Sequence, residues 1–468
     1  MSRSVPVIVF MMSAMLLAFF AGVAVMERRI FPYQHLQDGI KTLRFTYRQL
    51  RDTPFFGNFS SRIEENADLD SLSEARFRRL GDVGPLPGSV LVSGGLNQFL
   101  DVCPEFGCIA VEIDRDGAIL RGIPFRPAEI LAADLTGGVF EREGASSRPE
   151  RLFRPIGVAP YPDGDLLVTF QSIGDSGAFP FSMGVGRVDP DGNPRWFRFD
   201  YSHHWSLILP DGGALVPALD VADGEMRVVD GDRESVIRCE TRRPQIDYIQ
   251  VVDADGAVVG RYDFAADLAT SNWSMALLET IDGCDPLHLN YVDVVGPDDA
   301  PEAGLSAGDL ILSLRNISAV AVLDGSSGAL KNLIMGDFMQ QHAVQHVSGS
   351  RLLMFDNWGG DTAGRPSRLL EIDAATGASR RVFPLEGGFE GAPVYSRVAG
   401  HLDISADRRR AVVAFSGAGR AFEVDIETGT PLWVYESLHD ITRGRGTPRA
   451  YRGRPVRGDI YSVEYVEP

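Results

Sequence analysis

Residues 285–357 combine apolar, strand-like segments with polar groups that strands seldom carry. The polar groups lie at the ends of these segments and are His288 with Asn290, Arg315 with Asn316, and His342. An imidazole, a side-chain amide and a guanidinium together suit a tetrahedral oxyanion such as sulfate or phosphate, because arginine presents a planar fork of donors. A histidine near its ordinary pKa can act as a base or a nucleophile. The stretch therefore predicts an oxyanion site.

Four short motifs, in a fixed order, carry a resemblance to a known family. They are H-H before L-P-D-G (His203, His204, then Leu209 to Gly212), H-x-N ahead of a strand (His288, Asn290), S-x-R closing the next strand (Ser313, Arg315), and Q-H with a later F-D-N (Gln341, His342, Asp356, Asn357). They resemble the bacterial arylsulfotransferases, which move a sulfuryl group between phenols without a nucleotide donor. One departure is Trp205 after the histidine pair, where the family usually has an acidic residue.

The resemblance implies a ping-pong reaction with a sulfurylated histidine. From this resemblance, His342 is the expected nucleophile, and Arg315 and His288 are expected to stabilise the sulfuryl oxygens. The His203–His204 pair is expected to serve the phenolic oxygen as acid and base. The predicted site comprises five catalytic residues, His342, His288, Arg315, His204 and His203, and two substrate-binding residues, Asn290 and Asn316. The implied partners are small aryl sulfates and phenols, and no cofactor or metal is expected.

Other interpretations of the same residues stay open. Each histidine and Arg315 can instead be a structural residue at a strand end, and a propeller that binds ligands or acts as a scaffold without turnover would keep the same pattern. The histidines at positions 203, 204, 288, 342 and 346 could also bind zinc, copper or iron, although Asn290 and Arg315 have no use in a metal shell. Transfer of another oxyanion, such as a phosphate ester, is a further possibility.

Composition limits the class of protein. The chain has 468 residues, of which 44% are hydrophobic and 23% charged, and a formal net charge of −19. This balance is typical of a globular protein and excludes nucleic acid as an expected partner, because binding phosphate backbones needs a basic surface. Four cysteines occur, at positions 103, 108, 239 and 284. Cys103 and Cys108 either pair in an oxidising compartment or remain thiols.

The amino-terminal residues predict a membrane anchor. Residues 5–26 are an uninterrupted apolar run preceded by Arg3, long enough to cross a bilayer as one helix. An uncleaved anchor with a periplasmic body is the expectation, the periplasmic side being implied by the family resemblance. An amphipathic stripe over residues 36–50 and a second helical pattern over residues 71–80 predict a helical stalk over residues 27–82, through which a homodimer is possible.

From residue 83 to residue 468 the sequence predicts one all-β domain built from repeats. Six times a hydrophobic strand ends in Asp, with Gly three or four residues later: Asp114–Gly117, Asp189–Gly192, Asp253–Gly256, Asp324–Gly328, Asp373–Gly377 and Asp425–Gly429. Such pairs form hairpin turns, in which glycine supplies the positive φ. A second turn and strand precede each copy.

Six units of about fifty to seventy residues with two hairpins each predict a six-bladed β-propeller. A sandwich does not explain six similar units, and a solenoid has shorter repeats. Residues 459–466 are expected to close the ring against the first blade. In a propeller the first strand of each blade lines the central channel, so the candidate residues are predicted to converge there.

Overall fold

In the computed structural model the chain divides into two units, Met1–Thr53 and Pro54–Pro468. The residues that the structure describes are 11–20, 22, 77–81, 88–94, 102–104, 106–137, 153–172, 183–222, 225–230, 233–238, 244–271, 285–296, 304–358, 366–385, 388–396, 398–440 and 455–466.

The first unit is described over one helical segment, residues 11–20 with residue 22. Among the described residues, no helix combines the length and the apolar character needed to cross a membrane. Parts of the predicted span over residues 5–26 lie outside the described residues, as does nearly all of the predicted stalk, so the anchor, the stalk and the stalk-mediated dimer remain predictions.

The second unit is almost entirely β-structure. In chain order its strands are β1 (Phe77–Arg79), β2 (Ser89–Gly94), β3 (Cys108–Asp114), β4 (Ile119–Pro124), β5 (Phe153–Pro160), β6 (Leu166–Ser172), β7 (Gly184–Val188), β8 (Pro194–Arg198), β9 (Leu207–Ile208), β10 (Ala214–Val221), β11 (Glu225–Asp230), β12 (Arg233–Arg238), β13 (Gln245–Val252), β14 (Val258–Tyr262), β15 (Leu289–Val294), β16 (Leu310–Leu314), β17 (Ala319–Leu323), β18 (Leu330–Ile334), β19 (His342–Ser348), β20 (Arg351–Asp356), β21 (Arg368–Asp373), β22 (Ser379–Phe383), β23 (His401–Ile404), β24 (Arg410–Phe415), β25 (Arg420–Asp425), β26 (Pro431–Glu436), β27 (Leu438–Asp440), β28 (Pro455–Arg457) and β29 (Ile460–Val466). The helices are α1 (Pro127–Ala132) and α2 (Phe264–Thr270), with a 3₁₀ turn at Ser416–Ala418.

These strands form six antiparallel sheets, which confirms the six-bladed propeller. From the channel outward, blade 1 is β29-β2-β3-β4, blade 2 is β5-β6-β7-β8, blade 3 is β9-β10-β13-β14, blade 4 is β15-β16-β17-β18, blade 5 is β19-β20-β21-β22, and blade 6 is β23-β24-β25-β26. The first strands of blades 4, 5, 6, 1 and 2 pack against each other in turn around the channel. The hairpins β11-β12 and β27-β28 are additions to this plan.

The sequence repeat corresponds to one turn of each blade. In all six blades the Asp at the end of the third strand accepts, through Oδ1, a backbone N–H that lies two residues later in blades 1 to 5 and three residues later in blade 6, and the following Gly has positive φ. Asp is suited to this turn because its short side chain reaches its own backbone. The Asp and Gly of the sequence repeat therefore lie in the hairpin turn between the third and fourth strands of each blade.

The chain ends close the ring as predicted. The carboxy-terminal strand β29 is the first strand of blade 1 and pairs antiparallel with β2, with Val463 opposite Val92. Pairing strands from the two ends of the domain leaves no free edge at the channel.

One predicted helix is wrong. Residues 77–79 of the helical pattern over residues 71–80 form β1, which pairs with β26 as a fifth, outermost strand of blade 6. Phe77 packs on Trp433, with ring centroids 5.5 Å apart. This contact with a residue far along the chain outweighs the local helical pattern, because packing routinely overrides intrinsic propensity.

A disulfide joins Cys103 to Cys108, whose Cα atoms are 5.2 Å apart. The sequence left this pairing open. Cys239 and Cys284 lie outside the described residues.

Candidate functional site

Three histidines meet at the end of the channel where the first strands of the blades begin. His342 opens β19 in blade 5, His288 directly precedes β15 in blade 4, and His204 lies shortly before β9 in blade 3. The His204 ring centroid is 4.9 Å from that of His288 and 6.4 Å from that of His342. Equivalent positions in three successive blades thus converge, as the repeat predicted.

Two of these histidines have unusual backbone conformations. His204 has φ of 55° and His288 has φ of 56°, in the left-handed region that non-glycine residues rarely adopt. Each such residue costs about 1–3 kcal/mol and persists only where its surroundings fix it. The surroundings supply hydrogen bonds: Thr169 Oγ1 donates to the His204 carbonyl, and the Arg315 N–H donates to the His288 carbonyl at 3.2 Å. Strain concentrated at a cluster of imidazoles points to function.

His342 is held with one ring nitrogen fixed. Its Nδ1 lies 2.6 Å from Asn357 Oδ1 and 3.1 Å from the Gln340 carbonyl. The Asn357 amide nitrogen donates to the carbonyls of Ser396 and Ala399, both at 2.8 Å. The Asn357 oxygen must therefore accept, which makes Nδ1 of His342 the protonated nitrogen. The lone pair of the neutral ring is consequently on Nε2.

The environment keeps this ring neutral. Burial, followed by the charges of Arg315 and His288, lowers the pKa of His342 well below its usual value, although the Asn357 contact opposes the shift. Burial also lowers the pKa of His204, and neighbouring His203, His288, His342 and Arg315 lower it further. A buried, unprotonated Nε2 beside a guanidinium is the arrangement expected of a nucleophile that attacks an anionic centre.

Arg315 and His288 are tied together by a short loop. His288 Nδ1 lies 2.5 Å from Asp285 Oδ2. Asn316 accepts from Arg315 Nη1 at 2.7 Å and donates to the Asp285 carbonyl at 2.6 Å. A single amide thus positions the guanidinium relative to the Asp285–His288 pair. Asn316 is predicted to bind substrate, but in this structure both its amide oxygen and its amide nitrogen are engaged in this link.

His203 lies behind His204, on the side away from His342. Its Nδ1 is 2.7 Å from Nδ1 of His204, and its Nε2 is 3.4 Å from Asp247 Oδ1. Only 1% of His203 is exposed. Burial and then the charge of His288 lower its pKa to about 3. A second proton, which would make this ring a cation, is therefore strongly disfavoured.

Asn290 lies beneath the site. Its Nδ2 donates to the Gln341 carbonyl at 2.8 Å, and the residue has no exposed surface. Gln341 in turn donates through its side chain to the carbonyls of Leu314 and Ala319. These bonds fasten the start of β19, and so His342, to blade 4. The described geometry gives Asn290 a positioning task, while its predicted contact with substrate remains a prediction.

Trp205 packs against the imidazoles of the site. Its ring centroid is 6.2 Å from that of His342 and 5.1 Å from that of His401, and its Nε1 donates to Ser462 Oγ at 2.6 Å. The indole thus connects blades 3, 5, 6 and 1 at one point. Packing against these imidazoles explains why an aromatic residue, and not an acidic one, follows the histidine pair.

Gly157 makes room for the His204 backbone. A Cβ at this position of β5 would overlap the His204 carbonyl oxygen and Thr169 Oγ1. We expect Gly157→Ala to lower the catalytic activity of this site about a hundredfold, because displacing a reacting group by about 1 Å costs that much. Steady-state activity measurements on the folded variant would check this.

The matched control for Gly157→Ala is Gly260→Ala. Gly260 lies on the outer strand β14, where an added Cβ meets only the Val251 side chain, at 3.3 Å. Equal activity of the two variants would contradict the role assigned to Gly157.

Sequence reasoning missed three residues of the site. Asn357 belongs to the F-D-N motif without a predicted role, whereas its amide selects the tautomer of His342. Asp285 precedes His288 by three residues, a spacing that could have indicated the pair. Asp247 carries no local signal, because it lies on the third strand of blade 3 and reaches His203 only through folding.

His346, the remaining histidine considered for metal binding, does not join the group. Its Nε2 donates to the Gly349 carbonyl at 3.0 Å, farther along β19. Within the described ranges, no group of three or more His, Cys, Asp and Glu side chains is arranged to hold a metal ion.

Comparison with known proteins gives one family match. A family model described as Arylsulfotransferase (ASST) matches residues 187–437, which is more than half of the chain and includes all the candidate residues. No curated protein matches the chain.

Solved structures give distant similarities only. A protein of unknown function from Bacteroides caccae is 14% identical, with a TM-score of 0.45 over 82% of this chain and 100% of that one. Virginiamycin B lyase from Staphylococcus aureus is 9% identical, with a TM-score of 0.34 over 61% and 87%. Hydrazine synthase from Kuenenia stuttgartiensis is 13% identical, with a TM-score of 0.35 over 68% and 70%. With TM-scores below 0.5, these similarities carry no argument about function.

Proposed function

The chain belongs to the arylsulfotransferase family, and on this premise we propose that it transfers a sulfuryl group from an aryl sulfate to a phenolic acceptor by way of a sulfohistidine at His342. The observation that carries the proposal is the fixed tautomer of His342. Its Nδ1–H is held by Asn357, so Nε2 has a free lone pair beside Arg315.

The first half-reaction joins Nε2 of His342 to sulfur and breaks the bond from sulfur to the aryl oxygen. Arg315 supplies a positive charge for the sulfuryl oxygens, and donors of this kind stabilise charge that is redistributed in the transition state. His288, oriented by Asp285, and His204 surround the same point.

The amide of Asn357 suits the intermediate. Once Nε2 carries the sulfuryl group, the ring keeps its Nδ1 proton, because an amide oxygen accepts a hydrogen bond but does not take the proton at neutral pH. The ring therefore remains a cation, and a cationic imidazolium leaves readily when a phenol attacks sulfur in the second half-reaction.

We expect purified protein to release 4-nitrophenol from 4-nitrophenyl sulfate, and to do so repeatedly only when a phenol acceptor is present. Without acceptor, one equivalent per site should appear as a burst, because the sulfurylated enzyme then has no partner. Absorbance of 4-nitrophenolate measures both phases. A protein that releases nothing from any aryl sulfate, or that acts only on phosphate esters, would contradict the proposal and favour a binding protein or a phosphoryl-transfer enzyme.

The place of action is also a proposal. The disulfide between Cys103 and Cys108 supports an oxidising compartment such as the periplasm, where such bonds persist. The membrane anchor over residues 5–26 is proposed from the sequence alone.

A further inference from the structure

Two buried carboxyl groups lie behind the histidines on the side away from His342. Asp247, on β13, is 2% exposed, and Asp285, just before β15, is 5% exposed. Asp247 Oδ1 is 3.4 Å from His203 Nε2, and Asp285 Oδ2 is 2.5 Å from His288 Nδ1. The mechanism described above gives Asp247 no task.

Asp247 is the end of a line of proton-carrying groups. The line runs from His204 through the facing Nδ1 atoms, 2.7 Å apart, to His203, and from Nε2 of His203 to Asp247. In each imidazole the two nitrogens are separated by one carbon and point away from the ring in different directions. A proton that arrives at one nitrogen can therefore leave from the other, and both rings end neutral.

We propose that Asp247 is the proton reservoir of the transfer reaction, exchanging one proton with the phenolic oxygen of the substrate through His203 and His204. This inference rests on the proposed sulfuryl transfer and adds the route of the proton that this reaction must supply and recover. Asp247 acts through the two histidines and does not touch the substrate.

In the first half-reaction the line delivers a proton. As the bond from sulfur to the aryl oxygen breaks, the electron pair stays on that oxygen, which takes the proton from Nε2 of His204. Nδ1 of His204 takes the Nδ1 proton of His203, and Nε2 of His203 takes the carboxyl proton of Asp247. The products are a neutral phenol, the zwitterionic sulfohistidine and an Asp247 carboxylate, so the negative charge of the aryl sulfate has moved to Asp247.

In the second half-reaction each transfer reverses. The acceptor oxygen attacks sulfur, the bond from sulfur to Nε2 of His342 breaks, and the acceptor proton enters Nε2 of His204. The carboxyl proton of Asp247 is restored through His203. The cycle closes without an exchange of protons with bulk water, which a buried site makes slow.

The surroundings favour a proton on Asp247 over one on the rings. Burial, and then the negative charge of Asp285, raises the pKa of Asp247 well above its usual value, against the backbone N–H bonds that it accepts. One of these comes from Leu289 at 3.0 Å. The pKa of His203, in contrast, is lowered to about 3. Asp285 and His203 are thus ionisable groups that face Asp247, and the pKa of His203 is too low for its ring to take a second proton from Asp247 at neutral pH.

The test is Asp247→Asn, whose amide oxygen can still accept the Leu289 N–H. Single-turnover rates are measured with 4-nitrophenyl sulfate and with unsubstituted phenyl sulfate. Phenol has a pKa near 10, like the tyrosine side chain, and needs the proton as it leaves, whereas 4-nitrophenol is far more acidic and needs it much less. We expect the rate with phenyl sulfate to fall at least about tenfold more than the rate with 4-nitrophenyl sulfate.

Asp293→Asn is the matched control. Asp293 is half-buried on β15, and its carboxylate likewise accepts a backbone N–H of the next blade, that of His346, at 2.6 Å. We expect Asp293→Asn to change the rates with the two donors by the same factor. If Asp247→Asn also changes both rates by the same factor, its effect is purely structural and the inference is overturned.

A second measurement needs no turnover. The infrared difference spectrum between wild type and Asp247→Asn at neutral pH should contain the C=O band of a protonated carboxyl group, and its absence would overturn the inference. If the wild type transfers sulfuryl groups but both measurements fail, only the reservoir is wrong. If the band is present and no transfer occurs with any aryl sulfate, the proton site stands and the proposed function fails.

Discussion

Replacement of His342 by alanine is expected to abolish sulfuryl transfer, with a fall in turnover of at least about 10⁴-fold, because removal of a covalent nucleophile leaves only binding and electrostatic stabilisation. The burst of 4-nitrophenol should vanish together with steady turnover. Intact-mass measurement after incubation with donor alone should show one added sulfuryl group on the wild type and none on the variant.

His346→Ala is the control for this prediction. His346 is on the same strand, and its ring donates to the Gly349 carbonyl instead of facing the channel end. We expect this variant to keep the burst. A His342→Ala protein that still acquires a sulfuryl group would place the nucleophile elsewhere, and His204 and His288 would be the next residues to replace.

The propeller could be predicted because its turns are local. The Asp residue and the glycine of each hairpin lie within a few residues of each other, so their chemistry is visible in the sequence, and the structure shows one such turn at the same place in every blade. Strand β1 could not be predicted in the same way. It depends on its pairing with β26, more than three hundred residues later in the chain, with Phe77 opposite Tyr435.

The same distinction between local and long-range contacts decides which features of the candidate site could be predicted. Convergence of the histidines followed from repeat position, since first strands of successive blades start at one end of the channel. The tautomer of His342 could not be predicted from the sequence. It depends on how Asn357 is held by the carbonyls of Ser396 and Ala399, in the loop before β23. Nor could the left-handed backbone of His204, which needs the absence of a side chain at Gly157.

The strained and buried features of the site have a common consequence. Left-handed backbone at His204 and His288 directs two rings toward the point that His342 faces, and burial keeps the rings of His204 and His342 uncharged. Among the charged neighbours of His342, Arg315 lowers the pKa of its ring the most. This arrangement suits the proposed transfer, because a permanent cation can attract an anionic sulfuryl group while the ring of His342 stays unprotonated.

This arrangement makes Arg315 the second residue whose loss should be severe. We expect Arg315→Ala to lower kcat/KM about 10²–10³-fold, the usual cost of removing one preorganised donor for transition-state charge. Arg315→Lys should restore only part of the loss, because an ammonium keeps the charge but not the planar fork. Arg187→Ala is the control, since Arg187 pairs with Asp165 in blade 2 and Arg195 lies near the same carboxylate.

The defect of Arg315→Ala should also depend on pH. The positive charge of Arg315 is the second cause, after burial, of the lowered pKa of His342, so its removal lets that pKa rise toward its usual value near 6.5. The nucleophile must be unprotonated, so the variant should lose further activity as the pH falls from 8 toward 5, while the wild type keeps its neutral ring and changes less. Rates of the 4-nitrophenol burst across this range would measure the difference. A ratio of wild-type to variant rates that stays constant with pH would mean that Arg315 contacts substrate without setting the charge state of His342.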